Sequence, residues 1–231
     1  MPSQNSRGVR SQTLERALES LEVLADGRPR TSHELAEAVG LPRSNVYRIL
    51  RTFEEFAFVT RTADGRYTLG LGLAALAETG LRDAELRLDD TLSELADATS
   101  ATAIFCIPQK DHAVVLTSAR ASSRPASVAI RRSTRLPLDD GAPGMAVLAL
   151  RAKADYEPDE VSLARSTGYV HTKGAPFPGF EAVACPVRLR DQHAGSIGVV
   201  FPLGSQALAD VLQPLRHAAL RVERPIDLWT E

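Results

Sequence analysis

Apolar positions recur with a helical period near the start of the chain. They are Leu14, Ala17, Leu18, Leu21, Val23 and Leu24. Ser11 or Thr13 can cap the helix that this pattern predicts, and Asp26 with Gly27 ends it. Because the apolar stripe is wider than one helical face, we expect it to close a small core and to leave apolar surface for a partner subunit.

A second helix is predicted from Thr31 onwards. Thr31 and Glu34 have the spacing at which a cap hydroxyl and a returning carboxylate satisfy each other's backbone amides. Gly40 can end this helix in a left-handed conformation. After a turn of roughly three residues, Pro42 fits the first position of a third helix, where its missing N–H has no consequence. Two helices joined by so short a turn predict a helix-turn-helix.

The third helix has one apolar face and one basic face. Val46, Ile49, Leu50 and Phe53 recur at helical spacing and predict a buried face. No acidic residue occurs on the helix before Glu54, so its first turns present only cationic, amide and hydroxyl groups, which can reach base edges or phosphates. The candidate DNA-contacting residues of this helix are Arg43, Ser44, Asn45, Tyr47, Arg48 and Arg51.

A β-hairpin is predicted directly after the third helix. Residues 58–61 and 66–69 are short β-type runs, and Asp64 with Gly65 between them is a hairpin signal. A hairpin behind a recognition helix is a wing, and Arg61 and Arg66 would place charge beside a flanking phosphate. The alternative is that these arginines only solvate an exposed face. Agreement of cap, turn, apolar stripe and basic face within one short window favours DNA binding.

The domain plan follows from a change of pattern after the wing. Residues 1–10 are expected to be a flexible arm, either passive or touching the minor groove or the DNA backbone. Residues 11–70 form the winged helix-turn-helix, and 71–81 form a small, apolar linker helix expected to pack against its equal in a dimer. Residues 82–231, with their boundary near Gly80, begin with a separate helix and form the second domain.

The second domain is predicted to be α+β. From Thr102 the apolar period becomes two, which predicts strands over 102–107, 113–118, 127–130, 182–189 and 195–201. Helices are expected over 144–150, 159–166 and 206–223, the last interrupted by Pro214. Strands bracketed by helices favour an antiparallel sheet with helices packed on it, rather than a parallel nucleotide-binding sheet.

Composition limits the class of partner. The chain has 231 residues, 44% of them hydrophobic and 24% charged, as in ordinary globular proteins. Its net charge of −2 means that nucleic-acid binding must rest on local placement of charge. Cys106 and Cys185 are far apart, and neither a signal peptide nor an apolar run of roughly 20 residues is found. We therefore expect a cytoplasmic protein with no membrane partner.

An enzymatic function is the less favoured class. The best nucleophile and base are Cys185 with His171 or His193, but a cysteine in an apolar strand is usually a packing residue. The cysteines and histidines lack the short spacings of metal ligands. The Gly70-Leu71-Gly72 run lacks the third glycine of a phosphate loop. We predict no catalytic residue, no metal and no cofactor.

Several motifs together resemble the IclR-type bacterial transcriptional regulators. The similarity covers nearly the whole chain and is strongest in SQTLERALESLEVLA, ELAEAVGLPRSNVYRILRTF and RYTLGLGL, continuing through LPLDDGAPGMAVLAL, RSTGYV and GFEAVACPV. The resemblance implies a winged helix-turn-helix joined by a linker helix to a GAF-like effector domain. It also implies homodimers, or dimers of dimers, on palindromic operators in double-stranded DNA.

The resemblance further implies a small-molecule effector site in the second domain. The family usually has His, Thr and Lys where this chain has Asp139, Gly141 and Met145, and often has serines at Gly198 and Val200. Such a lining suits a weakly acidic organic effector with a hydrophobic body. The candidate effector residues are Gly144, Met145, His171, Thr172, Lys173, Ala182, Cys185 and Gly198, with His171 and Lys173 expected at a cationic mouth.

An alternative function is kept for the second domain. It could dimerise without binding a small molecule, and then Met145, Ile104 and Val199 would fill the space of the pocket. The two possibilities differ in whether that space is open or packed.

Overall fold

The computed structural model describes residues 11–122, 128–189 and 194–223, without the side chains of residues 79–85. The chain divides into two compact units, Met1–Arg82 and Asp83–Glu231, and each is described by itself. Within the described ranges, no helix combines the length and the apolarity needed to cross a membrane.

The first unit is a three-helix cluster with a hairpin. Its elements are α1 Gln12–Leu24, α2 Ser32–Val39, α3 Arg43–Glu55, β1 Val59–Arg61 and β2 Tyr67–Leu69, with the strands paired antiparallel. All of them contribute to one core, made by Leu24, Leu35, Ala36, Val39, Val46, Leu50, Val59 and Tyr67. The predicted helix-turn-helix with its wing is confirmed.

The helix ends of this unit follow the sequence signals closely. Thr31 and Glu34 form the reciprocal capping box at the start of α2, and Gly40 ends that helix at φ +65°. The prediction for Pro42 was wrong by one position. Pro42 is the N-cap of α3 with an extended ψ of 139°, and its carbonyl accepts from the amides of Asn45 and Val46. A capping residue has non-helical torsions, so α3 begins at Arg43.

The long helix α4 spans Gly72–Thr99 without interruption. The predicted division into a linker helix over 71–81 and a separate helix after it is therefore wrong. A glycine within a helix costs only about 1 kcal/mol relative to alanine, and no proline interrupts this stretch. Gly80 therefore does not end the helix.

The second unit is built on one antiparallel sheet. Its strands are β3 Thr102–Gln109, β4 His112–Arg120, β5 Arg135–Pro137, β6 Val170–Lys173, β7 Phe180–Arg188 and β8 Ala194–Pro202. Its remaining helices are α5 Ala142–Ala149, α6 Asp159–Thr167 and α7 Leu208–Glu223, which contains Pro214. The six strands lie in the order β5-β4-β3-β8-β7-β6. The predicted α+β class is confirmed.

Helices cover both faces of this sheet. One face, here called the α5 face, buries Ala182, Ala184 and Val200 against α5 and α6. The other, here called the α7 face, buries Val183 and Val199 against α7 and the part of α4 from Leu88 onwards. Neighbouring residues of a strand point to opposite faces, so each strand contributes to two separate cores.

Several expectations need correction, and others fall on residues outside the described ranges. The strand predicted over 127–130 is not formed by Val128–Ile130, whose carbonyls accept from the hydroxyls of Thr102 and Ser118 instead of a neighbouring strand. Strands β5 and β6 were missed, because three or four residues are too few to show a period. The arm over 1–10, the turn at Asp191 and the stop at Pro225 lie outside the described residues.

Candidate nucleic-acid interface and effector site

The helix α3 divides into a buried face and an exposed basic face. Val46 and Leu50 are fully buried in the core of the first unit. All the predicted DNA-contacting positions on the opposite face are exposed, namely Arg43, Ser44, Asn45, Tyr47, Arg48 and Arg51. Packing of the apolar stripe therefore fixes the direction in which this face points.

The cations of this face are largely uncompensated. The guanidinium groups of Arg48 and Arg51 make no hydrogen bond or ion pair with any residue that the structure describes. Arg43 Nε donates only to the hydroxyl of Ser32, at 3.4 Å, and this neutral partner leaves its charge intact. Unpaired cations on one exposed face attract a polyanion even though the chain as a whole carries a net charge of −2.

The two arginines of the wing have different surroundings. The guanidinium of Arg61 lies over the ring of Tyr67, 5.8 Å from its centroid, and Tyr67 is itself buried in the core. This stacking orients Arg61 without neutralising it. The hairpin turns at Gly65, which has φ +80°, so that Arg61 stands at the exposed end of β1.

Arg66, by contrast, is held by acceptors of its own unit. Its Nη1 lies 3.3 Å from Glu34 Oε2 and 3.3 Å from the carbonyl of Pro29, and its Nε lies 3.3 Å from Asp64 Oδ2. The amide of Thr31, then its hydroxyl, and then Arg66 hold the pKa of Glu34 below its ordinary value, so Glu34 stays ionised. Arg66 thus links the wing to the N-terminal cap of α2, a role that no local sequence pattern indicated.

Five of the predicted effector residues lie on the α5 face. They are Gly144, Met145, Thr172, Ala182 and Gly198. The hydroxyl of Thr172 accepts from the amide of Ala142 at 3.0 Å and donates to the carbonyl of Ala175 at 2.7 Å, so it caps the start of α5. Met145 is 7% exposed and Ala182 is 1% exposed, which means that this region is packed.

The glycines at these positions serve close packing. A Cβ on Gly144 would lie 1.8 Å from the carbonyl oxygen of Pro137, and one on Gly198 would lie 3.0 Å from that of Val183. The glycines therefore allow α5 to meet the chain before it and allow β8 to lie against β7. Any ligand on the α5 face has to be accommodated by movement of side chains such as Met145.

The other three predicted effector residues lie on the α7 face, so the predicted site does not form as one cluster. His171 pairs across the strands with Val183, and Lys173 pairs with Glu181. Cys185 belongs to the core beneath α7. The alternation of side chains along β6 and β7 separates all three from Thr172 and Ala182. The expectation of a cationic mouth beside Met145 was therefore wrong.

A buried carboxylate accounts for His171 and Lys173. Glu181 Oε2 lies 2.7 Å from His171 Nε2 and 3.7 Å from Lys173 Nζ, and its other oxygen accepts from the amide of Gly204 at 2.9 Å. The amide of Gly204 and then the imidazole of His171 hold the pKa of Glu181 below its ordinary value against the opposing effect of desolvation. A charged residue within the apolar run FEAVAC was the sequence signal that could have revealed this cluster.

Cys185, the nucleophile of the enzymatic alternative, is not suited to that role. Burial raises the pKa of the Cys185 thiol to about 12, so the reactive thiolate is not formed near neutral pH. His171, its proposed base, is bound to Glu181 instead. His193, the other proposed base, lies outside the described residues.

Comparison with known proteins gives a family match for the first unit. Residues 13–63 match the model of the IclR helix-turn-helix domain. This range contains α1 to α3 and the strand β1, including the exposed basic face of α3. No curated protein sequence matches the chain.

Similar solved structures extend over both units. The IclR transcriptional regulator from Alicyclobacillus acidocaldarius has a TM-score of 0.75 at 23% identity, covering 93% of this chain and 98% of that chain. An IclR family transcriptional regulator from Brucella abortus has a TM-score of 0.74 at 19% identity, covering 92% of each chain. An IclR homologue from Microbacterium hydrocarbonoxydans, complexed with 4-hydroxybenzoate, has a TM-score of 0.65 at 21% identity, covering 91% and 97%.

These identities are low enough that the structural likeness establishes the fold alone, whereas the sequence match establishes the type of the DNA-binding domain. The exposed cations of α3 provide the physical basis for binding nucleic acid. The chain therefore contains a helix-turn-helix domain of the IclR type, and over most of its length it has the fold of the solved IclR transcriptional regulators.

Proposed function

We propose that the protein binds a palindromic operator in double-stranded DNA as a symmetric dimer, with one α3 helix in each half-site. The observation that carries this proposal is the exposed face of α3, which has no acidic residue before Glu54 and carries the unpaired side chains of Arg48 and Arg51. A single short helix reads too few base pairs for specificity, so two copies are needed. The residues of α3 read bases and adjacent phosphates, while Arg61 on the wing contacts a flanking phosphate.

Selection of genomic DNA fragments with the purified protein, followed by gel shifts against random DNA, tests this proposal. Arg48→Ala should weaken binding to a selected fragment by about 1–3 kcal/mol and relax the base preference. Arg131→Ala, at an exposed position of the second unit, is the matched control. Binding that is salt-labile and shows no preference over random DNA would contradict the proposal. Sedimentation of the protein–DNA complex separates a dimer from a dimer of dimers.

We further propose that a small, partly apolar organic acid binds on the α5 face and changes the affinity for the operator. The supporting observation is that Gly144, Met145, Thr172, Ala182 and Gly198 converge there, around the capped start of α5. Met145 is unbranched and flexible, so it can yield space to a ligand. The Microbacterium homologue bound to 4-hydroxybenzoate is an example of such a ligand class on the same fold.

The second candidate function is that this unit only mediates oligomerisation. The observation in its favour is the packing of the region, because Ile104, Met145 and Val199 are all buried. Val199, however, lies on the α7 face, so only Ile104 and Met145 could fill a pocket beneath α5.

Calorimetry and gel shifts with a panel of organic acids, including 4-hydroxybenzoate, distinguish the two candidates. A panel member that binds should lose affinity in Met145→Trp, which fills the space, and should bind normally to Lys173→Gln on the opposite face. The ligand must also bind the DNA-competent and DNA-incompetent states of the protein with different affinities. A ligand with equal affinity for both states does not change the affinity for the operator. A coupling of about 1–3 kcal/mol changes operator affinity roughly 5- to 150-fold. Normal binding to Met145→Trp would show that the site lies elsewhere.

A further inference from the structure

A cavity lies at the far end of α5 from Thr172. Its volume is about 540 Å³, within the range of small-ligand sites. It is bounded by the ends of α5 and α6, by the last residues of β7 and by the end of α7. Its lining residues are Ala149, Leu150, Arg151, Lys153, Ala164, Arg165, Gly168, Pro186, Arg188 and Glu223.

The lining carries an excess of positive charge. Four of its side chains are basic and Glu223 is the one acid among them. Arg165 is compensated by a two-pronged ion pair with Glu157. Arg151 donates to the neutral carbonyl of Lys110 at 2.9 Å and so keeps its charge. The side chains of Lys153 and Arg188 are exposed and form no ion pair with an acid in the described part of the chain, which leaves a net positive lining.

The loop that carries two of these cations is held in place. Glu157, whose side chain is 5% exposed, accepts from the hydroxyl of Ser162 at 2.9 Å as well as from Arg165. Arg165 is the main cause that lowers the pKa of Glu157 to about 2, so the pair stays charged at neutral pH. Since Glu157 also receives the amide of Ala154, this network anchors the loop between α5 and α6 and reduces the ordering that a ligand would have to impose on it.

Favourable interaction of cations with helix C-termini accounts for only part of the positive charge at the cavity. Arg151 and Arg165 lie at the C-terminal ends of α5 and α6, where cations are favourable without any ligand. Arg188 is on a strand, and Lys153 lies beyond the end of α5. Neither side chain belongs to the last turn of a helix, so the dipole of its own element does not account for its charge.

The neighbouring sheet edge is closed to a peptide strand. Strand β6 begins at Val170, opposite Ala184, so the last residues of β7 have a free edge beside the cavity. On that edge Pro186 has no amide hydrogen, and the amide of Arg188 donates to Glu223 Oε1 at 2.9 Å. No donor remains there for strand pairing, which makes a small molecule a better occupant than an extended peptide.

We propose that this cavity binds a small organic anion carrying at least two negative charges, as in a dicarboxylate or a phosphate ester. Arg188, Lys153 and Arg151 bind its charged groups. Leu150, together with Pro186, receives its apolar part. The site is separate from the effector region at the start of α5, so it goes beyond the proposed function and does not depend on it.

Calorimetry on the full-length protein with phthalate, succinate, inorganic phosphate and benzoate tests the proposal. Phthalate should bind more tightly than the monoanion benzoate, and binding should weaken with salt. Because each cation supplies a charge-assisted hydrogen bond, Arg188→Gln and Lys153→Gln should each weaken phthalate binding about ten-fold. Tight succinate and weak phosphate would identify a dicarboxylate site, and the reverse order would identify a site for phosphate groups.

Two control variants make the result decisive. Arg131→Gln removes an exposed arginine away from the cavity, and Met145→Trp fills the effector region at the other end of α5. Both should bind phthalate like the parent protein, whatever they do to an effector. The proposal is overturned if none of the four probes binds, if Arg188→Gln and Arg131→Gln bind phthalate equally, or if only Met145→Trp loses binding.

Discussion

The two wing arginines lead to opposite predictions for DNA binding. Arg61 is stacked on Tyr67 and has no acidic partner among the described residues, whereas Arg66 is held by Glu34 and Asp64. We expect Arg61→Ala to remove a phosphate contact and so to reduce the dependence of operator affinity on salt. Arg66→Ala should leave that dependence unchanged, because a guanidinium held by two carboxylates makes no phosphate contact and so releases no counterion from the DNA.

The expected magnitudes are well separated. Each lost phosphate contact reduces the slope of log affinity against log salt by about 0.9, and a symmetric dimer carries two wings, which makes roughly 1.8. Raising the salt from about 50 to about 200 mM should then weaken the Arg61→Ala variant roughly twelve-fold less than the parent. The side chains of Arg66 and Glu34 are 41% and 46% exposed. An ion pair so exposed holds the wing only weakly, so Arg66→Ala should lower affinity at most about five-fold.

Gel shifts or fluorescence anisotropy at four salt concentrations on a selected operator measure both quantities. Glu34→Gln is the matched control, because glutamine preserves the capping box at Thr31 while removing one of the two charges that hold Arg66. For Glu34→Gln, the slope of log affinity against log salt should be equal to or steeper than that of the parent. If Arg66→Ala flattens the slope as much as Arg61→Ala does, Arg66 contacts a phosphate and the inference from its partners is wrong.

Three further predictions concern stability. Leu50→Ala should destabilise the first unit by about 2–5 kcal/mol in denaturant titrations, because Leu50 is fully buried, and a loss below 1 kcal/mol would contradict the core assignment. Gly144→Ala should destabilise the second unit by about 1–3 kcal/mol, since its Cβ would meet the carbonyl of Pro137 at 1.8 Å, and an unchanged melting temperature would refute this. The pKa of Glu181 is lowered on folding, so its stabilising contribution is present above its unfolded pKa and is lost as the pH falls through the lower folded value. The melting temperature of Glu181→Ala should therefore lie furthest below that of the parent at neutral pH and should nearly equal it in acid. A difference in melting temperature that does not change with pH would contradict this prediction.

The sequence alone determined most of the first unit because its signals are local. The capping box of Thr31 and Glu34, the left-handed Gly40 and the apolar stripe through Val46 and Leu50 each act within a few residues. Such interactions fix both the helix ends and the direction of the basic face. The antiparallel α+β class of the second unit could also be predicted from the sequence. Its strands β3, β4, β7 and β8 are long enough to show the two-residue period of apolar positions.

Tertiary structure decided which of the charged and candidate ligand-binding residues meet. Strand β6 has four residues, too few to reveal that His171 and Thr172 face opposite sides of the sheet. Arg66 and Glu34 are 32 residues apart in the chain, so no spacing rule indicated that one compensates the other. The cations of the cavity come from one loop, a helix and a strand. Whether a charge is neutralised depends on distance in space, and distance between residues far apart in sequence is set only by the packing of the elements that carry them.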